Sequence, residues 1–305
     1  MNIEHLRLFT RIAATHNISL AGSELGLSPA VASAHVSKLE KSLGVRLLHR
    51  TTRKVSLTEE GQAFLHHAED VLSSIEAAKS SVGAGSSLPS GTLRVAAPAS
   101  FGRMHLLPAL KQFMVTNSRL KIDLKLSDTI VDLVEGGFDV AIRNSALKDS
   151  SLVAKKLAED KRILCASPDY LLKHGSPNVP QDLKDHNCIS LIGLENWSFV
   201  NGKGEIPIKA VGNFRTDNGE AIRDACTQGV GITINSTWSA YQQLLSGELV
   251  QVLPDYPLAS DSAIWSIYPS SRQLAPKVRA FIDFFADHFA GTPYWDAELT
   301  KSIKL

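Results

Sequence analysis

Apolar residues recur at helical spacing in three short segments at the beginning of the chain. Residues 3–14, 19–25 and 29–43 each place apolar side chains on one face, which predicts three amphipathic helices. Between the second and third of these helices, Gly26 permits a positive φ angle and Ser28 can cap the helix that follows. Two short helices joined by such a tight turn form a helix-turn-helix, whose second helix enters the major groove of DNA.

The third predicted helix has two different faces. Its apolar stripe consists of Ala32, Val36, Leu39 and Leu43. Off this stripe, hydroxyls can bond phosphates or base edges, alanine can contact thymine methyl groups, and lysine suits phosphates. We therefore predict that DNA is contacted by Ser28, Pro29, Ala30, Ser33, Ala34, His35, Ser37 and Lys38. A solvated surface position remains the alternative for each of them, and His35 either reads a base or covers the edge of the helix.

Residues 45–57 have the pattern of a β-hairpin wing with basic residues at and near its tip. Arg50 and Arg53 are placed to reach the DNA backbone or the minor groove. The predicted DNA contacts of the wing are Arg50, Thr51, Arg53 and Lys54. Residues 1–57 are thus predicted to form a winged helix-turn-helix domain.

A longer helix is predicted over residues 58–82, where Thr58 can cap it and two glutamates follow in its first turn. Its apolar residues recur at alternating spacings of four and three, at Phe64, Ala68, Val71, Ile75, Ala78 and Val82. This is the seam of a coiled coil, whereas a simple core-facing helix shows a wider stripe. We expect this helix to pair two subunits. The Gly- and Ser-rich residues 83–91 then form a hinge.

From Thr92 onwards, short apolar strands alternate with helices. Strands are predicted over 93–97, 121–126 and 138–143, and helices over 106–113 and 129–135. The same alternation returns later in the chain. Helices are predicted over 218–228 and 278–289, and strands over 232–234 and 263–268. Such alternation is typical of an α/β domain with a parallel sheet.

In an open α/β sheet, ligands bind beyond the carboxyl ends of the strands. That rule selects the loops after the first three predicted strands and the loop before the helix predicted over 218–228. The predicted ligand contacts in these loops are Ser100, Phe101, Asp128, Thr129, Arg143 and Asn218, and Trp197 is predicted separately to line the second half of the domain. Helix capping is the alternative for Thr129 and Asn218, a surface salt bridge for Arg143, and an ordinary core position for Trp197. Hydroxyl, amide and guanidinium groups near helix N-termini fit a small carboxylate.

Charge divides the chain unequally. Residues 1–57 carry eight basic and three acidic residues, a net +5, while the whole chain has a net charge of +1. A basic unit joined to an acidic one suits a nucleic-acid binder attached to a second module. Because the chain has neither a signal peptide pattern nor a long apolar run, we expect it in the cytoplasm and not in a membrane. Its three scattered cysteines suit buried thiols in a reducing compartment.

These motifs closely resemble the LysR-type transcriptional regulators over nearly the whole chain. In the first part, the resemblance rests on residues 25–30, Ser33, Val36, residues 39–48, 50–53, 57–59 and Gly61. In the second part, it rests on residues 93–102, 124–128, 137–143, 166–171 and 229–232. Departures from the usual pattern are Gly22, Leu48 and Ala34.

The resemblance implies an effector domain over 92–305 that is similar to periplasmic binding proteins. Two α/β lobes then surround a cleft, lobe I over about 92–160 and 264–290 and lobe II over about 161–263. It also implies a small-molecule effector, a homodimer formed through residues 58–82, and double-stranded promoter or operator DNA as a partner. A homotetramer and contact with RNA polymerase are left open. No cofactor or metal ion is expected.

Two other classes of protein are weighed against this interpretation. A transport-type binding protein shares the expected sensor fold, but it requires export and has no use for a DNA-binding module. An enzyme is disfavoured because the sequence has no G-x-S-x-G, H-E-x-x-H or Walker motif, and no G-x-G-x-x-G after a strand. The adjacent His66 and His67 point to different sides of a helix, which is poor metal-binding geometry.

Overall fold

The computed structural model describes residues 2–50, 55–81, 89–129, 133, 136–145, 152–202, 204–269, 275–301 and 303. The chain divides into two compact units. The first consists of Met1–Gly91 with Leu274–Arg279, and the second of Thr92–Gln273 with Ala280–Leu305. Among the residues described, no helix is both long and apolar enough to cross a membrane.

The first unit contains the three helices, the hairpin and the long helix that the sequence predicts. Their bounds are α1 Ile3–Thr15, α2 Ile18–Glu24, α3 Pro29–Leu43, β1 Leu48–Arg50, β2 Val55–Leu57 and α4 Glu59–Ser81. The side chains of Asn2, Asn17 and Ser28 cap the first three helices by accepting backbone N–H groups. The αL residue Gly44, with a φ of 74°, ends α3.

One face of α4 belongs to the core of the first unit. Ala68 is buried there, and the Phe64 ring lies 5.6 Å from the ring of Phe9 in α1. Further along the same predicted seam, Val71 is 39% exposed. The beginning of the seam therefore packs inside its own subunit, while its continuation presents apolar surface to the outside. The hinge predicted over 83–91 and the seam residue Val82 fall largely outside the described residues.

The second unit begins with a lobe built on a five-stranded sheet, which we call lobe I. Its strands lie in the order β4-β3-β5-β14-β6. The parallel pairing of β3 with β5 agrees with the sequence prediction, but β14 runs antiparallel to both β5 and β6. The elements are β3 Gly91–Ala97, α5 Ala99–Phe101, a π-helical segment Gly102–Leu106, α6 Leu107–Thr116, β4 Leu120–Leu126, β5 Val140–Ser145, β6 Leu152–Glu159, β14 Ala263–Pro269 and α10 Pro276–His288. The helix predicted over 129–135 lies mostly outside the described residues.

Lobe II is built on smaller sheets. Its β12, β7 and β13 form an antiparallel sheet, β8 pairs with β11 in parallel, and β9 with β10 forms a hairpin. The elements are β7 Arg162–Ala166, α7 Pro168–His174, a 3₁₀ turn Pro180–Asp185, β8 Ser190–Leu191, β9 Asn196–Asn201, β10 Gly204–Lys209, β11 Arg215–Thr216, α8 Gly219–Thr227, β12 Thr233–Ser236, α9 Thr237–Ser246 and β13 Val250–Gln251. Cys165, Cys188 and Cys226 are buried free thiols here.

A last helix, α11 (Tyr294–Leu299), is not predicted from the sequence. Its Trp295 is fully buried and packs 4.5 Å from the His105 ring and 5.3 Å from the Phe289 ring. The hydroxyl of Tyr294 lies 2.6 Å from Nδ1 of His105, whose Nε2 lies 3.0 Å from the carbonyl oxygen of Trp238. The C-terminal helix is therefore part of the core of the second unit.

Burial of His105 makes this core sensitive to pH. Desolvation lowers the pKa of His105 from 6.5 to about 4. The unfolded chain therefore takes up a proton first as the pH falls, and this group removes about 3 kcal/mol of stability between pH 6.5 and 4. We expect H105Q to show a smaller loss of unfolding free energy over that interval in urea titrations at several pH values. An unchanged pH dependence would contradict this assignment.

Candidate functional site

The third helix separates a buried face from an exposed one, as its sequence predicts. Ala32, Val36 and Leu39 are buried in the core of the first unit. Among the predicted DNA contacts, Ser33 and His35 are partly exposed; the exposed ones are Ser28, Pro29, Ala30, Ala34, Ser37 and Lys38. Oγ of Ser28 also accepts the N–H of Val31, at 3.4 Å, so this residue caps the helix. The exposed face thus combines hydroxyl groups and the positive charge of Lys38 with small apolar residues and the 42% exposed Val31.

His35 is packed against the first helix. Its ring lies 4.6 Å from the ring of His5, and its Nδ1 is buried without a partner among the described residues. Burial, together with His35 and Lys38, lowers the pKa of His5. Of the two roles left open for His35, this placement fits the covering of the helix edge.

Two close approaches set the position of α3 and of the wing. A Cβ added at Gly22 in α2 would lie 2.8 Å from Cβ of Ala32, so glycine lets the two helices approach closely. Oε1 of Glu40 accepts the backbone N–H groups of Leu47 and Leu48, at 2.9 and 3.2 Å, and so ties the start of the wing to α3. Of the predicted wing contacts, Thr51, Arg53 and Lys54 lie outside the described residues, and only the backbone of Arg50 is described.

The second unit contains a cavity of about 310 Å³. Lobe I contributes Pro98, Ser100, Asp128 and Asn144 to its lining, while lobe II contributes most of the remainder. The apolar part of the wall includes Leu191, Leu194, Trp197, Ile222, Trp238 and Leu258. A volume of this size between two α/β lobes suits a small organic molecule.

Two buried hydroxyls in the cavity wall lack hydrogen-bond partners. Ser100 and Ser239 are 3% and 4% exposed, and neither Oγ has a partner in the described part of the chain. Because buried polar groups are nearly always hydrogen-bonded, each of these hydroxyls is suited to a bound ligand or water.

The basic residue of the cavity is already paired. Nε of Arg162 donates to Oδ2 of Asp160 at 2.9 Å, and Nε1 of Trp238 donates to Oδ1 of the same carboxylate at 3.1 Å. Asp160 is only 4% exposed, so this ion pair is largely withdrawn from water. The pairing compensates the charge of Arg162, and two acidic residues, Asp128 and Asp217, also line the cavity.

Asp128 connects the two lobes. Its Oδ1 accepts the backbone N–H of Ala99 at 2.9 Å, and its Oδ2 accepts Nδ2 of Asn218 at 2.6 Å. Asn218 also caps α8, since its Oδ1 accepts the N–H of Ala221 at 2.9 Å. A separate cavity of about 50 Å³ beside Asp128 is lined by Thr129 and Arg143 among others. Burial lowers the pKa of Arg143.

The predicted ligand contacts are brought together only in part. Ser100, Asp128 and Trp197 line the large cavity, while Thr129 and Arg143 line the small one. Asn218 does not itself line the large cavity, but it donates a hydrogen bond to Asp128, which does. Phe101 instead is fully buried, with its ring 5.3 Å from that of Trp238. Asn144, in the loop that the rule of the strand ends selects, also lines the large cavity, while the cavity residues missed from the sequence include Arg162, Ser190, Asn196, Thr233, Asn235 and Ser239.

Both units match families of known proteins. Residues 3–62 match the bacterial regulatory helix-turn-helix proteins of the lysR family, and residues 86–290 match the LysR substrate binding domain. The HTH-type transcriptional regulator DmlR of Escherichia coli (strain K12) is 34% identical over 292 residues, which cover 94% of each chain. The HTH-type transcriptional activator TtdR of the same strain is 32% identical over 287 residues, covering 92% of this chain and 91% of its own.

Solved structures agree with these matches. The structure of CrgA, a LysR-type transcriptional regulator from Neisseria meningitidis, aligns with a TM-score of 0.62 and 29% identity, over 95% of this chain and 100% of its own. Full-length AphB from Vibrio cholerae, described as a virulence activator, aligns with a TM-score of 0.59 and 30% identity, over 94% of this chain and 99% of its own. The chain therefore belongs to the LysR family: it is a DNA-binding transcription regulator with an effector-binding domain, and not an enzyme.

Proposed function

We propose that the exposed face of α3 reads the major groove and that a small effector with a carboxylate group binds in the 310 Å³ cavity. The observation that carries the first part is the division of α3 into a buried apolar stripe and an exposed face that carries Ser37 and Lys38. The partnerless hydroxyls of Ser100 and Ser239 support the second part, because they can donate to a ligand. A regulator that binds bacterial DNA in this way acts in the cytoplasm.

Two copies of the chain are proposed to pair through α4. The exposed residues Val71 and Ala78 continue the seam beyond the part that packs in the core of the first unit. Pairing of this apolar surface between two subunits removes it from water. A dimer would present two α3 helices to half-sites about one turn of DNA apart, roughly 34 Å.

The proposed DNA contact is tested by K38A. Since Lys38 is exposed on α3, we expect its side chain to neutralise a phosphate. The K38A protein should therefore bind DNA of any sequence more weakly than the wild type. The slope of log affinity against log salt should become shallower by about 0.9 for each lost phosphate contact in the complex. Fluorescence anisotropy with a labelled duplex measures both quantities. The control is K111A, which removes an exposed lysine from α6 in the second unit; equal effects of the two changes would contradict the proposal.

The proposed effector site is tested by S100A. Because the Ser100 hydroxyl is buried in the cavity wall and lacks a partner among the residues described, its removal should leave folding and DNA binding intact. The thermal stabilisation by a bound carboxylate should fall, since a hydrogen bond to a charged group contributes about 1.5–3 kcal/mol. The readout is the shift in melting temperature with a series of small organic acids, alongside DNA anisotropy. Equal losses of ligand response and DNA affinity would count against a separate effector role.

A further inference from the structure

We infer that the carboxylate of Asp128 occupies the position that a carboxylate effector takes, and that effector binding therefore breaks the hydrogen bond between Asp128 and Asn218. This inference rests on the proposed effector site, and it assigns to Asp128 a role as an internal competitor that also joins the two lobes.

The first argument is the set of donors around Asp128. The backbone N–H of Ala99 already donates to its Oδ1, at 2.9 Å, and so shows that this point of the wall accepts a carboxylate oxygen. The next residue, Ser100, is 97% buried and lines the same cavity, and its hydroxyl has no partner among the described residues. An incoming carboxylate can use both donors, whereas Asp128 uses only the first. Ligand binding is then an exchange of one carboxylate for another at Ala99, in which a bond from Ser100 is formed and the bond between Asp128 and Asn218 is given up.

The second argument is charge. Asp128 and Asp217 both line the cavity, and the charge of Arg162 is compensated by Asp160 at 2.9 Å. An anion that entered with Asp128 in place would be repelled by a nearby like charge. Displacement of Asp128 from Ala99 moves that charge away from the bound group. Asp128 is exposed, so its side chain can be solvated after it leaves.

The third argument is the connection to lobe II. The same carboxylate accepts Nδ2 of Asn218 at 2.6 Å, and Asn218 is the N-cap of α8. A second link between the lobes, an ion pair of Arg103 with Glu220, lies in the first turn of that helix. When Asp128 leaves Ala99, its bond to Asn218 is lost, and the start of α8 keeps the link through Arg103. Occupation of the cavity is thereby transmitted to α8.

The test uses the full chain and three variants, D128A, D128N and D217N. Acetate, benzoate and succinate are the probes, and the one that raises the melting temperature of the wild type most is titrated by calorimetry. We expect D128A to bind that probe about tenfold or more tightly, a difference of about 1.4 kcal/mol. D128N should lie between wild type and D128A, because its amide oxygen is a weaker competitor for the Ala99 N–H. D217N removes an acidic group from the same cavity without freeing Ala99, and should change the affinity by less than about threefold.

Equal gains in probe affinity in D128A and D217N would overturn the inference, since they would show that any loss of negative charge from the cavity strengthens binding. Weaker binding by D128A would overturn it too, because Asp128 would then be a ligand contact. Hydrogen exchange of the peptide containing Ala99 gives an independent readout: exchange at this amide should be faster in ligand-free D128A and slow again when the probe is added. Slow exchange in ligand-free D128A would contradict the competition. None of these outcomes depends on DNA binding, so they are distinguishable from a failure of the regulator function, which would appear as loss of duplex retention by the wild type.

Discussion

Replacement of Trp295 by alanine is expected to destabilise the second unit by about 3–5 kcal/mol, the usual range for a fully buried tryptophan. The side chain is 0% exposed and packs against the rings of His105 and Phe289. Its Nε1 has no partner in the described part of the molecule, so the loss comes from packing and not from a hydrogen bond. For a domain whose total stability is about 5–15 kcal/mol, this is a large fraction.

The matched control for W295A is E298A, which shortens an exposed side chain in the same short helix. Denaturant unfolding of the full chain, followed by tryptophan fluorescence in the wild type and by circular dichroism in both variants, measures the difference. E298A should stay within about 0.5 kcal/mol of the wild type. A W295A protein of nearly wild-type stability would mean that α11 does not belong to the core, and would contradict the fold described for residues 294–299.

Replacement of Gly61 by alanine is expected to destabilise the first unit by about 1–3 kcal/mol or more, although alanine is the better helix former by about 1 kcal/mol. An added Cβ at this position would lie only 2.0 Å from the carbonyl oxygen of Leu47. That oxygen accepts the N–H of Thr58 at 3.0 Å, so the neighbouring backbone has little freedom to move away. The expected consequence is a separation of α4 from the start of the wing, with weaker DNA binding.

Q62A provides the comparison for G61A. Gln62 is the next residue in the same turn of α4, and it is exposed. Helix propensity alone predicts a slight gain of stability for both changes, whereas the close approach to Leu47 predicts a loss for G61A alone. Thermal unfolding followed by circular dichroism distinguishes the two predictions. Equal or greater stability of G61A would show that the contact between α4 and the wing is looser than described.

The helix-turn-helix could be predicted from local sequence because its boundaries are encoded by single residues. Ser28 caps α3 and Gly44 ends it in the αL conformation, as their positions in the sequence indicate. The helical spacing of Ala32, Val36 and Leu39 likewise identifies the buried face. Each of these signals acts within a few residues, which is why a single sequence is enough to find them.

Other parts of the fold depend on contacts between distant residues and could not be predicted in this way. Helix α11 spans only Tyr294–Leu299, too short to show a helical period, and its burial depends on the distant His105. The antiparallel insertion of β14 between β5 and β6 also has no local signal, because a strand pattern is the same in either direction. Only the tertiary structure shows these pairings.

The ligand site likewise contains some residues that could be predicted from the sequence and others that could not. The rule of the strand ends finds Ser100 and Asp128, since both follow strands of lobe I. It does not find Ser239, which lies in the first turn of α9, or Arg162, which begins β7 and so lies at the amino end of a strand. Phe101, predicted to contact the effector, lies in the aromatic core beside Trp238, because the first turn of the helix directs it away from the cavity.

The measurement that tests the central claim most directly is selection of duplex DNA from a random library by the full chain. If two α3 helices read the major groove, the selected duplexes should share a two-fold symmetric pair of half-sites whose centres lie about 10–11 base pairs apart. The same protein with Ser33, Ser37 and Lys38 replaced by alanine should no longer enrich them. Failure of the wild type to retain any duplex at about 50 mM salt, where electrostatic contacts are strong, would contradict the account.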